Sequence, residues 1–101
     1  MPTTPYFKGR DREYRALKML RAEGWVCSRS AMSHGPVDIF AAKEGKPLLI
    51  QVKSGKRRKL QKEEFAQFVA WAKAFNAEAQ VWYFKTRGAL EKKIVHQPPR
   101  R

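Results

Sequence analysis

The stretch GPVDIFAAKEGKPLLIQVKS, residues 35–54, decides how this chain folds. Two apolar runs, Val37–Ala42 and Pro47–Lys53, flank Lys43, Glu44, Gly45 and Lys46, which is the layout of a β-hairpin. A turn centred on Glu44 and Gly45 sets Asp38 directly opposite Gln51. Opposed residues share one face of a sheet and side chains alternate along a strand, so Lys53, two residues further on, projects to that same face. The hairpin therefore predicts that Asp38, Gln51 and Lys53 converge. A slip of one residue in the turn would separate them.

Working outward, residues 1–7 carry two prolines and two threonines before Tyr6 and Phe7 and read as a flexible arm. Lys8 to Glu23 is expected to be helical, with Glu13, Ala16, Leu17 and Leu20 on one stripe and Gly24 ending the segment. Trp25 to Arg29 is a short β-prone run, followed by a small-residue loop, Ser30 to Pro36. Beyond the hairpin, Ser54 to Lys59 holds Gly55 and the consecutive bases Lys56, Arg57, Arg58 and Lys59, a loop composition. Leu60 to about Asn76 returns to helical spacing, with Phe65, Phe68, Val69 and Ala72 marking an apolar face that Trp71 and Phe75 broaden. Ala79 to Phe84 has the continuous apolar character of a buried strand. Gly88 breaks the chain before an edge strand, Leu90 to Val95, and residues 96–101 form a basic tail. The 101 residues thus make one domain of α/β class, a mixed central β-sheet flanked by helices.

Charge narrows the partner. Twenty-two Lys and Arg against nine acids leave a formal +13, while a 43% hydrophobic share is enough for a packed core. A polyanion is the natural neutraliser, and nucleic acid outranks an anionic membrane because no long helix sets its bases opposite a greasy face. No apolar run approaches the roughly 18 residues of a membrane span. The first residues lack the layout of a secretory signal, so the chain is expected to stay inside the cell that makes it, in cytoplasm or nucleoid. A compact chain of this kind would suit an archaeon or a virus acting in its host equally. The lone Cys27 excludes an internal disulfide and zinc-finger spacing, and reads as a small buried hydrophobe. Trp71, Trp82, Tyr83 and Phe84 read as core or subunit interface rather than as base-stacking platforms.

Three polar groups stand where apolar residues are expected: Glu13 on a helix stripe, and Asp38 and Gln51 inside strands of Val, Ile, Phe and Leu. An ionised carboxylate buried alone is costly, so such groups need a cation. Two sources remain open, a structural ion pair with one of the many bases, or a bound metal. For Glu13 the helix dipole offers a further structural reason.

Gly35-Pro36-Val37-Asp38, a hairpin, then Gln51-Val52-Lys53 resembles the PD-(D/E)XK nuclease signature, with Glu13 where that superfamily supplies an acid from its first helix. Lys8-Gly9, Glu13, Arg29, Ser33, Asp38 and Gln51-Val52-Lys53-Ser54 together are similar to the archaeal-type Holliday junction resolvases, over residues 8 to 95. The resemblance implies a restriction-endonuclease-like core and a homodimer that resolves four-way DNA junctions by symmetric paired nicks. It also implies Mg²⁺, with Mn²⁺ as a substitute, held by Glu13, Asp38, Gln51 and the Val52 carbonyl. Lys53 would then stabilise the transition state, and Arg29 and Ser33 would contact the phosphodiester. Lys8, Arg10, Arg12, Arg29, Ser33, Lys56, Arg57, Arg58 and Lys59 are the expected DNA contacts, gripping backbone rather than reading bases. His34, alone in a Ser/Gly loop, reads as a solvated side chain.

Two departures stand out. The family has Glu where this chain has Gln51, so one negative charge is lost although an amide oxygen still suits a hard cation. A basic residue after the helix acid is replaced by Tyr14. Two alternatives follow, a DNA-binding protein that kept the fold without catalysis, and a nuclease of the same fold acting on flaps or duplex ends.

Overall fold

The computed structural model describes residues 5–30, 35–54, 61–85 and 89–99, with side chains at all of these except 5–10 and 54. Helix α1 (Pro5–Ala22) leads to strand β1 (Val26–Arg29) and the hairpin of β2 (Ile39–Lys43) with β3 (Lys46–Ser54). Helix α2 (Lys62–Phe75) then crosses to β4 (Glu78–Phe84), and β5 (Leu90–His96) closes the described chain. Glu44 and Gly45 both have positive φ, 53° and 76°. A two-residue turn of that mirror-image kind matches the twist of antiparallel strands. Ile39 pairs with Ile50, Ala41 with Leu48 and Lys43 with Lys46, the register that the turn position predicts.

The sheet runs β1-β2-β3-β4-β5 in spatial order. Only the β3–β4 pair is parallel, because a parallel neighbour requires a crossover and α2 supplies it. Alternation along β3 sends Leu48 and Ile50 to one face, where they pack with Ala16, Leu17 and Leu20 of α1 and with Trp82 and Phe84. Leu49 faces the other way, with Val37, Phe68, Ala72 and Val81 on the α2 side. Gln51 and Lys53 continue the side of Leu49 and so face α2 rather than α1. At Gly35 a Cβ would stand 3.1 Å from the Trp71 ring, so the segment entering Asp38 lies tight against α2.

Two boundaries and one pattern of burial differ from expectation. Helix α1 begins at Pro5 rather than Lys8, so Pro5, Tyr6 and Phe7 belong to the helix and not to an arm. A first-turn proline fits because its missing N–H has no intrahelical partner there in any case. Strand β5 takes in His96, which the sequence assigns to the tail. On α2, Phe68 and Ala72 are buried, while Phe65 and Phe75 are 42% and 49% exposed. The apolar stripe of that helix is wider than the sheet beneath it.

Candidate active site

Asp38 stands one residue before β2, at the open end of the hairpin, beside β3. Its N–H donates to the Ile50 carbonyl at 2.9 Å and its carbonyl accepts the Ser30 N–H at 2.9 Å. Its Oδ2 accepts the Val52 N–H at 2.7 Å, so a side chain occupies a ladder position and is fixed against β3. Burial pushes the Asp38 carboxyl up to about 6, against the pull of the Val52 N–H and the Lys53 charge, with Glu13 and Glu64 adding to the rise. These charges therefore belong to one electrostatic unit.

Gln51, opposite Asp38, is 7% exposed, and its Oε1 is buried with no hydrogen-bond partner among the described residues. Leaving such an oxygen unsatisfied costs about 1–3 kcal/mol. Lys53 extends its Nζ to 3.1 Å from Glu64 Oε2. That hydrogen bond is the main reason Glu64 ionises more readily than usual, and the Gln51 side chain adds to it. On the α1 side, Arg29 Nη1 donates to Glu13 Oε1 at 3.1 Å and its guanidinium lies 5.1 Å from the Tyr14 ring centroid. The pair raises Arg29 above its ordinary value, chiefly through the hydrogen bond it donates to Glu13.

Asp38, Gln51, Val52 and Lys53 therefore meet at one end of the hairpin, and Glu13 joins them through its charge while being ion-paired to Arg29. The ion pair that a structural reading of Glu13 expects is thus present. Arg12 is half-buried in α1. Lys8 and Arg10 lie in the first turns of that helix, their side chains outside the described residues. Ser33, His34 and the bases Lys56, Arg57, Arg58 and Lys59 also lie outside the described residues. Sequence reasoning missed Glu64, and it marked Tyr14 only as a departure. Glu64 is an acid in a helix's first turn, where the dipole alone suffices to explain it. Tyr14 takes the place of a base and instead carries one, Arg29, on its ring face.

Among the described residues no three carboxylate, imidazole or thiol side chains converge as a metal cage. The donors present are of another kind: the Asp38 carboxylate, the Gln51 amide oxygen, the adjacent backbone carbonyl of Val52 and the Glu13 carboxylate. All are oxygens, as a hard divalent cation requires. The orphaned Gln51 oxygen and the carboxylate held back from ionising are both groups that a cation would satisfy, so the residues fit one.

Residues 4–98 match the family model described as archaeal Holliday junction resolvase (Hjc). No curated protein matches. Among solved structures, the chain is similar to Archaeoglobus fulgidus Hjc, a Holliday junction resolvase from an archaeal hyperthermophile. The two are 31% identical with a TM-score of 0.74, covering 84% of this chain and 74% of that one. With nearly the whole chain matched and the mixed sheet shared, this protein belongs to the archaeal Holliday junction resolvase family, a family of junction-resolving endonucleases.

Proposed function

We propose that this chain hydrolyses phosphodiester bonds of four-way DNA junctions with Mg²⁺, Mn²⁺ substituting, and that it acts as a homodimer making symmetric paired nicks. The observation that carries the reading is the buried Gln51 Oε1, unpartnered among the described residues, directly across the hairpin from a carboxylate whose pKa is raised to about 6. Nucleases of this family are generally dependent on a divalent metal. Glu13, Asp38, Gln51 and the Val52 carbonyl are the residues that would hold it. Such an ion, when bound, makes a coordinated water more acidic and polarises the phosphate.

The protein's own residues do the rest. Asp38 keeps its carboxylate in one orientation through the Val52 N–H, so the site needs little rearrangement on loading. Lys53 brings an ammonium to the same face, where it offsets charge building on the phosphate oxygens. Arg29 offers a planar donor fork, and with Ser33 it is assigned to the phosphodiester next to the cut. Lys8, Arg10, Arg12, Lys56, Arg57, Arg58 and Lys59 supply the backbone grip expected of so basic a chain, acting inside the cell that makes the protein or the host of a virus that encodes it. Two cuts related by two-fold symmetry call for two sites. A surface for a second copy is at hand: Val26, Phe40, Pro47, Leu49 and Phe75 line an apolar recess of about 300 Å³ beyond the end of α2.

The test is a junction-cleavage assay that maps cuts on all strands with and without Mg²⁺, beside a flap and a plain duplex of the same arm sequences. The reading expects paired cuts, related by symmetry, on the junction only, and their loss in Asp38→Asn with junction binding retained. Equal cutting by Asp38→Asn overturns the site, and preference for the flap or duplex overturns the substrate. Gln51 favours one competing reading, a DNA-binding protein without catalysis. Wild type silent with both metals, and activity appearing only in Gln51→Glu, would establish that reading instead.

A further inference from the structure

Glu64 has more to do than begin a helix. Its Oε1 accepts the Gln61 N–H at 3.4 Å, part of a capping box that closes the start of α2. Its Oε2 is turned to the site and lies 3.1 Å from Lys53 Nζ. The Gln51 side chain shares the α2-facing side with Lys53 and favours the ionised form of the same carboxylate, as a donor facing it does. An ionised carboxylate only accepts, whereas an amide has a donor end and an acceptor end. The NH₂ of Gln51 is therefore the end that meets Glu64, and the amide oxygen must point away from it. That oxygen is the buried Oε1, without a partner among the described residues, in a residue 7% exposed. A glutamine with no such anchor would be free to rotate the oxygen toward any donor within reach.

We propose that Glu64 is a positioning residue of this site, supplying from α2 the negative charge that position 51 lacks, by aiming the Gln51 amide oxygen at the ion and holding the Lys53 ammonium beside it. The inference rests on reading Gln51 as one of the ion's donors. It accounts for an amide at position 51, where the resemblance leads one to expect a carboxylate. With Glu64 in place, a second carboxylate at 51 would face a like charge, while an amide there offers a donor. Residues 51 and 64 form a matched pair, one amide and one acid, so that the site keeps three acids in either arrangement.

A reciprocal exchange in the full chain tests this, comparing Gln51→Glu, Glu64→Gln and the double variant with wild type. Glutamine serves the capping box as glutamate does, so Glu64→Gln is expected to unfold at the wild-type temperature. Calorimetric titration with Mn²⁺ in the absence of DNA gives the main readout. The expectation is affinity about tenfold lower in Glu64→Gln, the scale of losing a group that orients a metal's ligand. Gln51→Glu is expected to unfold at a lower temperature, and the double variant to recover both properties. Unchanged Mn²⁺ affinity in Glu64→Gln, or a double variant carrying the full loss of both single ones, overturns the inference. A cycle that behaves as expected in a protein that cuts no junction overturns the functional reading and leaves this one standing. A wild type that cuts junctions while the cycle is additive removes only the role of Glu64.

Discussion

The Val52 N–H donates to Asp38 Oδ2 at 2.7 Å, across the end of the hairpin where the backbone ladder gives way to a side chain. One hydrogen bond thereby sets the orientation of the acid, while the burial of its carboxylate is what costs fold stability. The folded carboxyl titrates at about 6, whereas an unfolded aspartate titrates near ~3.9. Between those values the folded state binds the proton more tightly. The stabilisation is complete below about pH 4 and is lost as the pH rises through about 6. Asp38→Asn keeps an oxygen for Val52 and removes the charge, so it is expected to abolish junction cleavage and stabilise the protein by about 2 kcal/mol at pH 7. Thermal unfolding at pH 7 and pH 4 checks this: the gap between variant and wild type should close at the lower pH.

The same titration bears on activity. A proton and a cation compete for Asp38, so single-turnover cleavage at limiting Mn²⁺ should fall as the pH drops through about 6. Raising Mn²⁺ should carry the falling limb to lower pH. A limb that stays fixed across a hundredfold range of Mn²⁺ would show that the group being titrated is not a metal ligand.

Arg29 is the second lever. Its 3.1 Å bond to Glu13 and its place over the Tyr14 ring both exploit a flat guanidinium. Arg29→Lys retains the charge but neither the fork nor the stacking surface, so cleavage should fall at least about tenfold, or ~1.4 kcal/mol in the barrier. Junction binding at low salt should change far less, because Arg29 is one base among 22. Single-turnover rates and gel-shift affinities measured together separate the two effects.

The hairpin and the convergence of Asp38 with Gln51 were legible in the sequence for the same reason. Glu44 and Gly45 could be seen as the turn, and a two-residue turn leaves a single register, so Asp38 opposite Gln51 followed from counting. What escaped was of two kinds. Pro5 reads as a breaker because its ring ends helices from within, yet it also begins them, and position 5 gives no sign of which applies. Glu64 carried a sufficient local explanation, and its reach toward Lys53 depends on how α2 is laid across the sheet, which no spacing encodes. Phe65 and Phe75 fell on the expected apolar stripe, but the width of the sheet beneath the helix decides which members of a stripe are covered.

The turn itself offers a control outside the chemistry. Glu44 holds a φ of 53°, a conformation that suits asparagine better than a longer side chain. Glu44→Asn is expected to stabilise the fold by about 0.5–1 kcal/mol and to leave cleavage unchanged. Chemical denaturation is the measurement, and a loss of stability would mean that Glu44 makes a contact that outweighs its backbone strain.

The last prediction concerns the apolar recess. Phe75 is 49% exposed at the end of α2 and Val26 is 79% exposed on β1, with Phe40 tilted against Phe75 at 5.8 Å between ring centroids. Burying a Phe side chain is worth roughly 1.5–3 kcal/mol, so a surface that covered the half-exposed Phe75 beside Val26 would gain by it. A second copy would do so and would bring a second site to the two-fold axis of a junction. Phe75→Glu should therefore shift sedimentation from dimer to monomer while the circular dichroism spectrum of the fold is preserved. It should also uncouple the two incisions, so that on a supercoiled cruciform plasmid nicked circles accumulate where wild type gives linear product. A Phe75→Glu protein that remains dimeric and linearises the plasmid at the wild-type rate would place the subunit contact elsewhere, with the edge strand β5 the next surface to alter.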